Sequence, residues 1–507
     1  MYSLLFGQLS CLFITLVFIW IYKYSIRSFT YWIKRGVPGP KPVPLIGNGF
    51  DMFFRKGFHQ SHLDYILKYG PIVGVFQGRD PQLIIGDLDI LRDILIKDFH
   101  HFHDHRVFID DNFTPLNKGM IQLKGEKWKS VRSKISPTFS TSKIKMIAPL
   151  INYSCEVLSE RISLAETKEI DVKQLYGCFM MDIVASTNFG LELDSLKNPK
   201  SLFIKHIKKF LNGGRNWLFA LMMFPKIGIA FSSLGLKTFL KEPLDFFVNV
   251  TNQIVKAKEN DSNANGINFI NLMIDTNTTD IMTDVKHNRC SPPKVGLLLS
   301  TEEIVAQSLF FIVAGYDTTS TLLSCVSYLM ALHPNIQDKL VSHIEEVLQG
   351  EDSVSYDAIS KMKYLDQIIQ ETLRLYPSIP FSDRVCNSTW TSKRLTIEKG
   401  TFVTIPIWAI HHNPNIWTDP DKFDPDRFSK ENKQKHHPIS WIPFGHGPRS
   451  CIGIRFALTT VKYAIIHVFR KNRAVPTEKT PNAIECNDFG QVIPKSGITI
   501  RFEKRCC

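Results

Sequence analysis

The chain reads as mainly α-helical with a smaller β region, preceded by a single N-terminal transmembrane helix. Three observations carry that reading. Helical periodicity dominates from about residue 140 to residue 375. Two runs rich in β-branched residues flank a turn near Arg79, and another strand-like stretch closes the chain. An uncharged apolar run, Leu4 to Tyr22, opens it and is long enough to span a bilayer as a helix.

Composition sets bounds on function. At 507 residues and 44% hydrophobic the chain can bury a large core. Its ten cysteines are scattered without paired metal spacings, which favours a reducing compartment and leaves a cysteine available as a ligand. Lys and Arg outnumber Asp and Glu by 61 to 48, a net charge of +13. No arginine-rich tract, zinc finger or stacking motif accompanies that charge, so nucleic acid is set aside as a partner. A basic surface facing anionic membrane lipid or an acidic protein fits better.

In chain order, residues 1–22 form the anchor. No positive residue precedes the apolar run and no small-residue cleavage site follows it, which argues against a removed signal peptide. Lys23, Arg27, Lys34 and Arg35 then place the bulk of the chain in the cytosol by the positive-inside rule. Residues 23–48 are a basic, proline-rich hinge. Prolines at 38, 40, 42 and 44 cannot be helical and predict a stiff, extended spacer.

Residues 49–507 form the cytosolic domain. Ile72 to Phe76 and Gln82 to Gly86 predict a β-hairpin, and Asp87 a cap for the helix after it. The histidines at 100, 101, 103 and 105 sit on near-consecutive positions, which seldom converge on a metal, so they read as an ordinary loop. The apolar stretches Trp217 to Pro225 and Ile227 to Leu240 fit buried core and a shallow membrane contact equally well. Glu259 to Gly266 and Thr276 to Gly296 are polar loops. Asp488 to Pro494 with Ile498 to Phe502 predicts a terminal hairpin.

The chemistry gathers around one cysteine. Phe444-Gly-His-Gly-Pro-Arg449-Ser-Cys451-Ile-Gly453 packs glycine around a thiol and then turns into a helix-like run from Ile454. Glycines at 445, 447 and 453 predict positive φ or close backbone approach. A helix dipole, free N–H groups and nearby Arg449 favour the Cys451 thiolate. Elsewhere Trp128 and Arg132, four apart, share one helix face and suit a carboxylate ligand. A long helix starting near Thr301 carries Ala314, Gly315, Asp317 and Thr318. Its poor helix formers predict a local opening of the backbone ladder, with an acid and a hydroxyl placed for proton delivery. Glu371 and Arg374 lie three apart among apolar residues and read as a partly buried pair.

Together these segments, in this order, resemble the cytochrome P-450 family over nearly the whole chain. The animal microsomal clan with family-three drug oxidases and thromboxane synthase is the most similar part of it, through Gly125 to Phe139 and Ala331-Leu-His-Pro334. The resemblance implies the cytochrome P-450 fold and a haem b cofactor whose iron is bound by Cys451. Phe444, Gly445 and Gly453 would belong to the cofactor loop, and Trp128, Arg132, Arg384 and Arg449 would meet the haem propionates. It further implies that Asp317 and Thr318 serve oxygen activation. Phe423 to Phe428 resembles a Pro-Glu-Arg-Phe element, so that Arg427 would join Glu371 and Arg374 in a structural network. Phe310, Phe311, Ala314, Ile379 and Phe381 would line the substrate pocket. Relatives supply a further arginine where this chain has His105-Arg106; those two residues and His446 have no assigned role.

The function implied is a monooxygenase inserting one oxygen atom of O2 into a lipophilic small molecule. No dinucleotide fingerprint or flavin domain is present, so NADPH electrons would come from NADPH–cytochrome P-450 reductase, with cytochrome b5 as a second donor. Lys127, Lys129, Lys134, Lys422 and the Lys430–Lys435 region would form the docking face. The location implied is the endoplasmic reticulum membrane. A haem-thiolate isomerase of lipid peroxides is the alternative, and a non-catalytic haem sensor a more remote one.

Overall fold

The structure is a computed structural model. It describes residues 2–505 except 108–113, 166–167, 214–224, 261–267, 275–298 and 486–496. Three readings fall there in whole or part: the 217–225 stretch, the polar loops after 259 and the first arm of the terminal hairpin.

Helix α1 (Tyr2–Ile26) projects from the domain with most of its described apolar side chains exposed. Two helices are long and apolar enough to cross a membrane among the described residues. One is buried inside the domain, so α1 is the candidate span. The proline-rich segment after it is extended but not a free spacer. Trp32 is buried and its indole N–H donates to the Val75 carbonyl at 3.0 Å. Gly39 lies so close to the Ile72–Gln77 strand that an added Cβ would meet the Gly74 carbonyl oxygen at 1.9 Å. Asn48 closes the segment, donating to the carbonyls of Pro40 and Lys41.

After α2 (Gly57–Tyr69), strands β1 (Ile72–Gln77) and β2 (Asp80–Ile85) form the expected antiparallel hairpin. Asp87 caps α3 (Leu88–Arg92), its carboxylate accepting from the N–H groups of Asp89 and Ile90. Then come α4 (Gly125–Ile135), α5 (Thr141–Leu164), β3 (Glu169–Asp171), α6 (Val172–Val184), α7 (Leu202–Gly213) and α8 (Pro225–Asn260). Helix α9 (Thr301–Leu332) starts at a capping box between Ser300 and Glu303. It is followed by α10 (Pro334–Leu348) and α11 (Lys363–Leu375).

Strands β4 (Ser382–Val385), β5 (Trp390–Thr391), β6 (Thr396–Ile397) and β7 (Phe402–Ile405) come next. Helix α12 (Ile454–Lys471) leads into β8 (Asn472–Pro476), and β9 (Thr499–Lys504) ends the chain. The main sheet runs β1-β2-β7-β4, with β2 and β7 parallel. The terminal strand β9 pairs with β8 and β3, so distant segments supply its described partners.

Three apolar cores result. The largest joins α5, α6, α9, α11 and α12; a second joins β2, α3, β5, β6 and β7 with Trp32; a third packs α2 against β1 and β2. Helix α9 runs through the large core, packing against α6 on one flank and also touching α12, the helix that follows the Cys451 loop.

Candidate active site

The cysteine loop hangs between the end of the β region and α12. The backbone N–H of Cys451 donates to the Phe444 carbonyl at 2.9 Å, closing the loop on itself. Gly445 and Gly447 take φ of 70° and 75°, as expected. Gly447 also presses against Leu95, where a Cβ would meet the carbonyl oxygen at 1.9 Å. Gly453 departs from expectation: an added Cβ would meet only Phe139 Cε1 at 4.0 Å, and its φ is −88°. The protein's own backbone therefore sets no demand for glycine there.

Cys451 keeps accessible surface, yet its thiol is surrounded densely enough that burial raises its pKa. The Gly453 N–H and the charge of Arg132 act in the other direction, towards thiolate.

The arginines converge on the same region from three elements. Arg132 comes from α4, Arg384 from β4 and Arg449 from the loop. Arg449 donates to the carbonyls of His103, Met120 and Leu123 at 2.8, 3.2 and 2.8 Å. Its guanidinium stacks over Trp128 at 4.0 Å, which explains why a buried tryptophan stands there. Burial, then Arg384, pulls its pKa down to about 9, and burial takes Arg384 to about 10. Arg384 is 2% exposed and its Nε has no hydrogen-bond partner among the described residues.

Two carboxylates lie among the three guanidiniums. Asp104 is 3.7 Å from Arg449, and Asp383 is 3.1 Å from the Nδ1 of His105. Of the two unassigned residues, His105 faces the cluster, its Nδ1 3.4 Å from Arg384. Arg106 turns away to Gln77 and stacks on Phe402 at 4.4 Å. Three cations, the Arg384 and Arg449 side chains buried and Arg132 part-buried, stand against two carboxylates. With an orphaned guanidinium N–H and a thiol nearby, they make a donor set that fits a dianionic porphyrin whose metal takes a sulfur ligand.

Behind the loop, Glu371 and Arg374 are both fully buried and form a bidentate pair at 2.7 and 2.8 Å. Arg427 approaches the same carboxylate at 3.3 Å. Burial raises the Glu371 pKa and Arg374 opposes the rise. Sequence reasoning missed the next link. Arg374 donates to the His411 carbonyl at 2.9 Å, while the ring Nε2 of His411 accepts the Ile442 N–H at 3.0 Å. That acceptor requires a neutral imidazole, and burial holds its pKa well below normal. No local motif announces His411.

On the other side, the Thr318 hydroxyl donates to the Ala314 carbonyl at 2.6 Å. The expected opening of the helix is not seen, since α9 is continuous from Thr301 to Leu332. Asp317 is turned away from that face. Its carboxylate meets Lys173 of α6 at 2.8 Å, and the same ammonium donates to Ser320 and Thr321. Lys173 is the second residue that sequence reasoning missed.

Among the pocket candidates, Phe310 lies against Gly119 and Ala314 is exposed. Ile379 is part-exposed in a segment tied to α9 by the Ser378 hydroxyl donating to the Thr318 carbonyl at 3.1 Å. Phe381 packs with Phe58 and His62. Phe311 instead meets Phe139 and Phe269 in an aromatic cluster of the core. Both phenylalanines are part-buried against the large core, one helical step apart.

A mainly helical fold with a glycine-framed cysteine and a long core helix fits a haem-thiolate enzyme, and the chain belongs to the cytochrome P450 family. The family's sequence profile, Cytochrome P450, matches residues 37–502. The chain is 34% identical over 492 residues to cytochrome P450 3A13 of Mus musculus, covering 96% of this chain and 94% of the relative. It is 34% identical over 507 residues to cytochrome P450 3A9 of Rattus norvegicus (99% and 97%) and 34% over 490 residues to cytochrome P450 3A5 of Homo sapiens (96% and 94%). It is a cytochrome P450 monooxygenase, similar to family-three members over nearly its full length.

Proposed function

We propose that Cys451 is the iron ligand of a haem b that supports insertion of one O2 oxygen atom into a lipophilic substrate. The convergence of Arg132, Arg384 and Arg449 beside that thiol supports the reading most directly. When bound, the haem supplies oxygen activation, with its thiolate favouring O–O cleavage.

The chain's own residues do the rest. Arg132, Arg384, Arg449 and Trp128 would hold the porphyrin carboxylates, while Phe444, Gly445 and Gly453 frame the thiol. Glu371, Arg374 and Arg427 brace the loop from behind. Thr318 presents a hydroxyl at the cleft for proton transfer. Asp317 acts by its charge, held by Lys173, and is a positioning residue in this reading. Phe310, Ala314 and Ile379 line the substrate side, with Phe381 at its edge.

Electrons would come from NADPH through cytochrome P-450 reductase, with cytochrome b5 as second donor. The exposed Lys127, Lys129, Lys422, Lys430, Lys433 and Lys435 supply the basic docking face. The basic residues after α1 favour a cytosolic domain on the endoplasmic reticulum membrane.

Reduced protein with carbon monoxide should show the long-wavelength Soret band of haem-thiolate proteins. Cys451→His should bind haem without that band; a mutant that kept it would sink the assignment. With reductase and NADPH, substrate-dependent oxygen consumption is expected. No oxygen uptake together with rearrangement of lipid hydroperoxides would establish the isomerase instead.

A further inference from the structure

A second charged feature shares no lining residue with the Cys451 site. Lys34 and Arg35 are the last basic residues of the short segment after α1, while Lys393 and Arg394 sit at the tip of the β5–β6 hairpin. Tertiary structure joins them. A groove of about 490 Å³ opens between the Arg35–Pro38 segment and that hairpin, lined by Arg35, Lys393, Arg394 and Glu398 among others.

Arg35 is held in place there. Its guanidinium stacks on Tyr31 at 3.6 Å and pairs at 2.5 Å with Glu398, which lies 363 residues further along the chain. The Tyr31 hydroxyl donates to the other Glu398 oxygen at 2.8 Å. Arg394 reaches Asp87 at 2.7 Å with its side chain 67% exposed, and Lys393 is exposed. Three cations therefore meet one lining carboxylate; with Asp87 counted against Arg394, the groove stays net positive.

The groove's distance from lipid is also set. Arg79, on the β1–β2 turn, stacks on Tyr24 in the last turn of α1 at 3.5 Å. Ser25 is fully buried, and Trp32 is wedged against Gly74. Between Ile26 and Arg35 the chain runs in consecutive turns rather than as a free tether. If α1 crosses a bilayer, these contacts hold the groove beside the surface it leaves.

We propose that this groove binds the headgroup phosphate of an anionic phospholipid in the leaflet next to the domain. A guanidinium fork matches phosphate oxygens bidentately, and each basic residue near an anionic leaflet strengthens binding. Because the site lies on the side where α1 leaves the membrane, it holds whichever way the domain faces in the cell.

The full chain in phosphatidylcholine nanodiscs, with increasing phosphatidylserine, tests this by hydrogen–deuterium exchange of residues 388–399. Phosphatidylserine should slow exchange there. Lys393→Glu/Arg394→Glu should raise the lipid fraction needed by roughly thirty-fold, from about 1 kcal/mol for each of the two basic residues lost. Lys393→Gln/Arg394→Gln should shift it in the same direction if the reversal does not fold. Exchange indifferent to phosphatidylserine, or equally responsive in both variants, overturns the proposal. So does equal protection by inorganic phosphate in phosphatidylcholine discs with nothing added by phosphatidylserine, which would mark the ligand as a free anion. Co-migration of the chain with phosphatidylcholine discs shows that α1 is inserted, separating a failed anchor from a failed groove.

Discussion

Single residues at this site are set by what surrounds them more than by their own chemistry. Glu371 and Arg374 are three apart on one helix, a spacing that on a surface contributes a few tenths of a kcal/mol. Here both are fully buried, and Arg374 is also bonded to two backbone carbonyls. Removing the carboxylate charge leaves guanidiniums uncompensated in a dry interior. Glu371→Gln should cost roughly 3–5 kcal/mol of stability. It should lower the apparent melting midpoint of the holoprotein and its haem content together. A variant that kept full haem and an unchanged midpoint would show the network to be dispensable.

At the scale of elements, the seam between α6 and α9 decides how the oxygen-side residues point. Gly315 packs against Val184, and Gly177 against the Tyr316 hydroxyl, at separations that leave little room for a Cβ. Tyr176 and Ser327 share a hydrogen bond at 2.7 Å across the same seam. Gly315 thus has a packing reason, where the sequence suggested a gap in the helix. Lys173 completes the seam by binding Asp317. Lys173→Met should therefore lower the melting midpoint by the cost of an unpaired buried carboxylate, again roughly 3–5 kcal/mol. It should also raise the hydrogen peroxide released per NADPH consumed, whereas Lys173→Arg should restore most of both. Normal coupling in the methionine variant would remove Asp317 from proton delivery.

Over the whole molecule, buried neutral histidines make the fold sensitive to acid. Burial lowers the pKa of His62 and His412 to about 3 and that of His467 to about 4, and holds His411 well below normal. A histidine whose folded pKa is depressed contributes stability that is complete above its unfolded value, about 6.5. As pH falls below that value the unfolded chain takes up protons that the folded chain refuses. Each such histidine then subtracts about 1.4 kcal/mol per pH unit until its folded pKa is reached. The melting midpoint should be flat near neutrality and fall steeply from about pH 6.5 to 4. His411→Gln offers a neutral acceptor for the Ile442 N–H, so it should flatten that fall at some cost near neutrality. An unchanged slope would place the sensitivity elsewhere.

By itself the sequence determined what is local. The apolar run of α1, the β1–β2 hairpin, the Asp87 cap and the glycine-framed Cys451 loop depend on spacings of a few residues, so they are legible in one dimension. The Glu371–Arg374 pair was legible for the same reason. Tertiary structure decided whatever depends on partners hundreds of residues away: the docking of Trp32 on β1, the strand that β9 pairs with, the clamp of Lys173 on Asp317, and the choice of His105 over Arg106 to face Arg384. It also set Phe311 among Phe139 and Phe269 and Phe310 against Gly119. Periodicity gives a residue its place around a helix, but only the packing of neighbouring elements determines which side of that helix is interior.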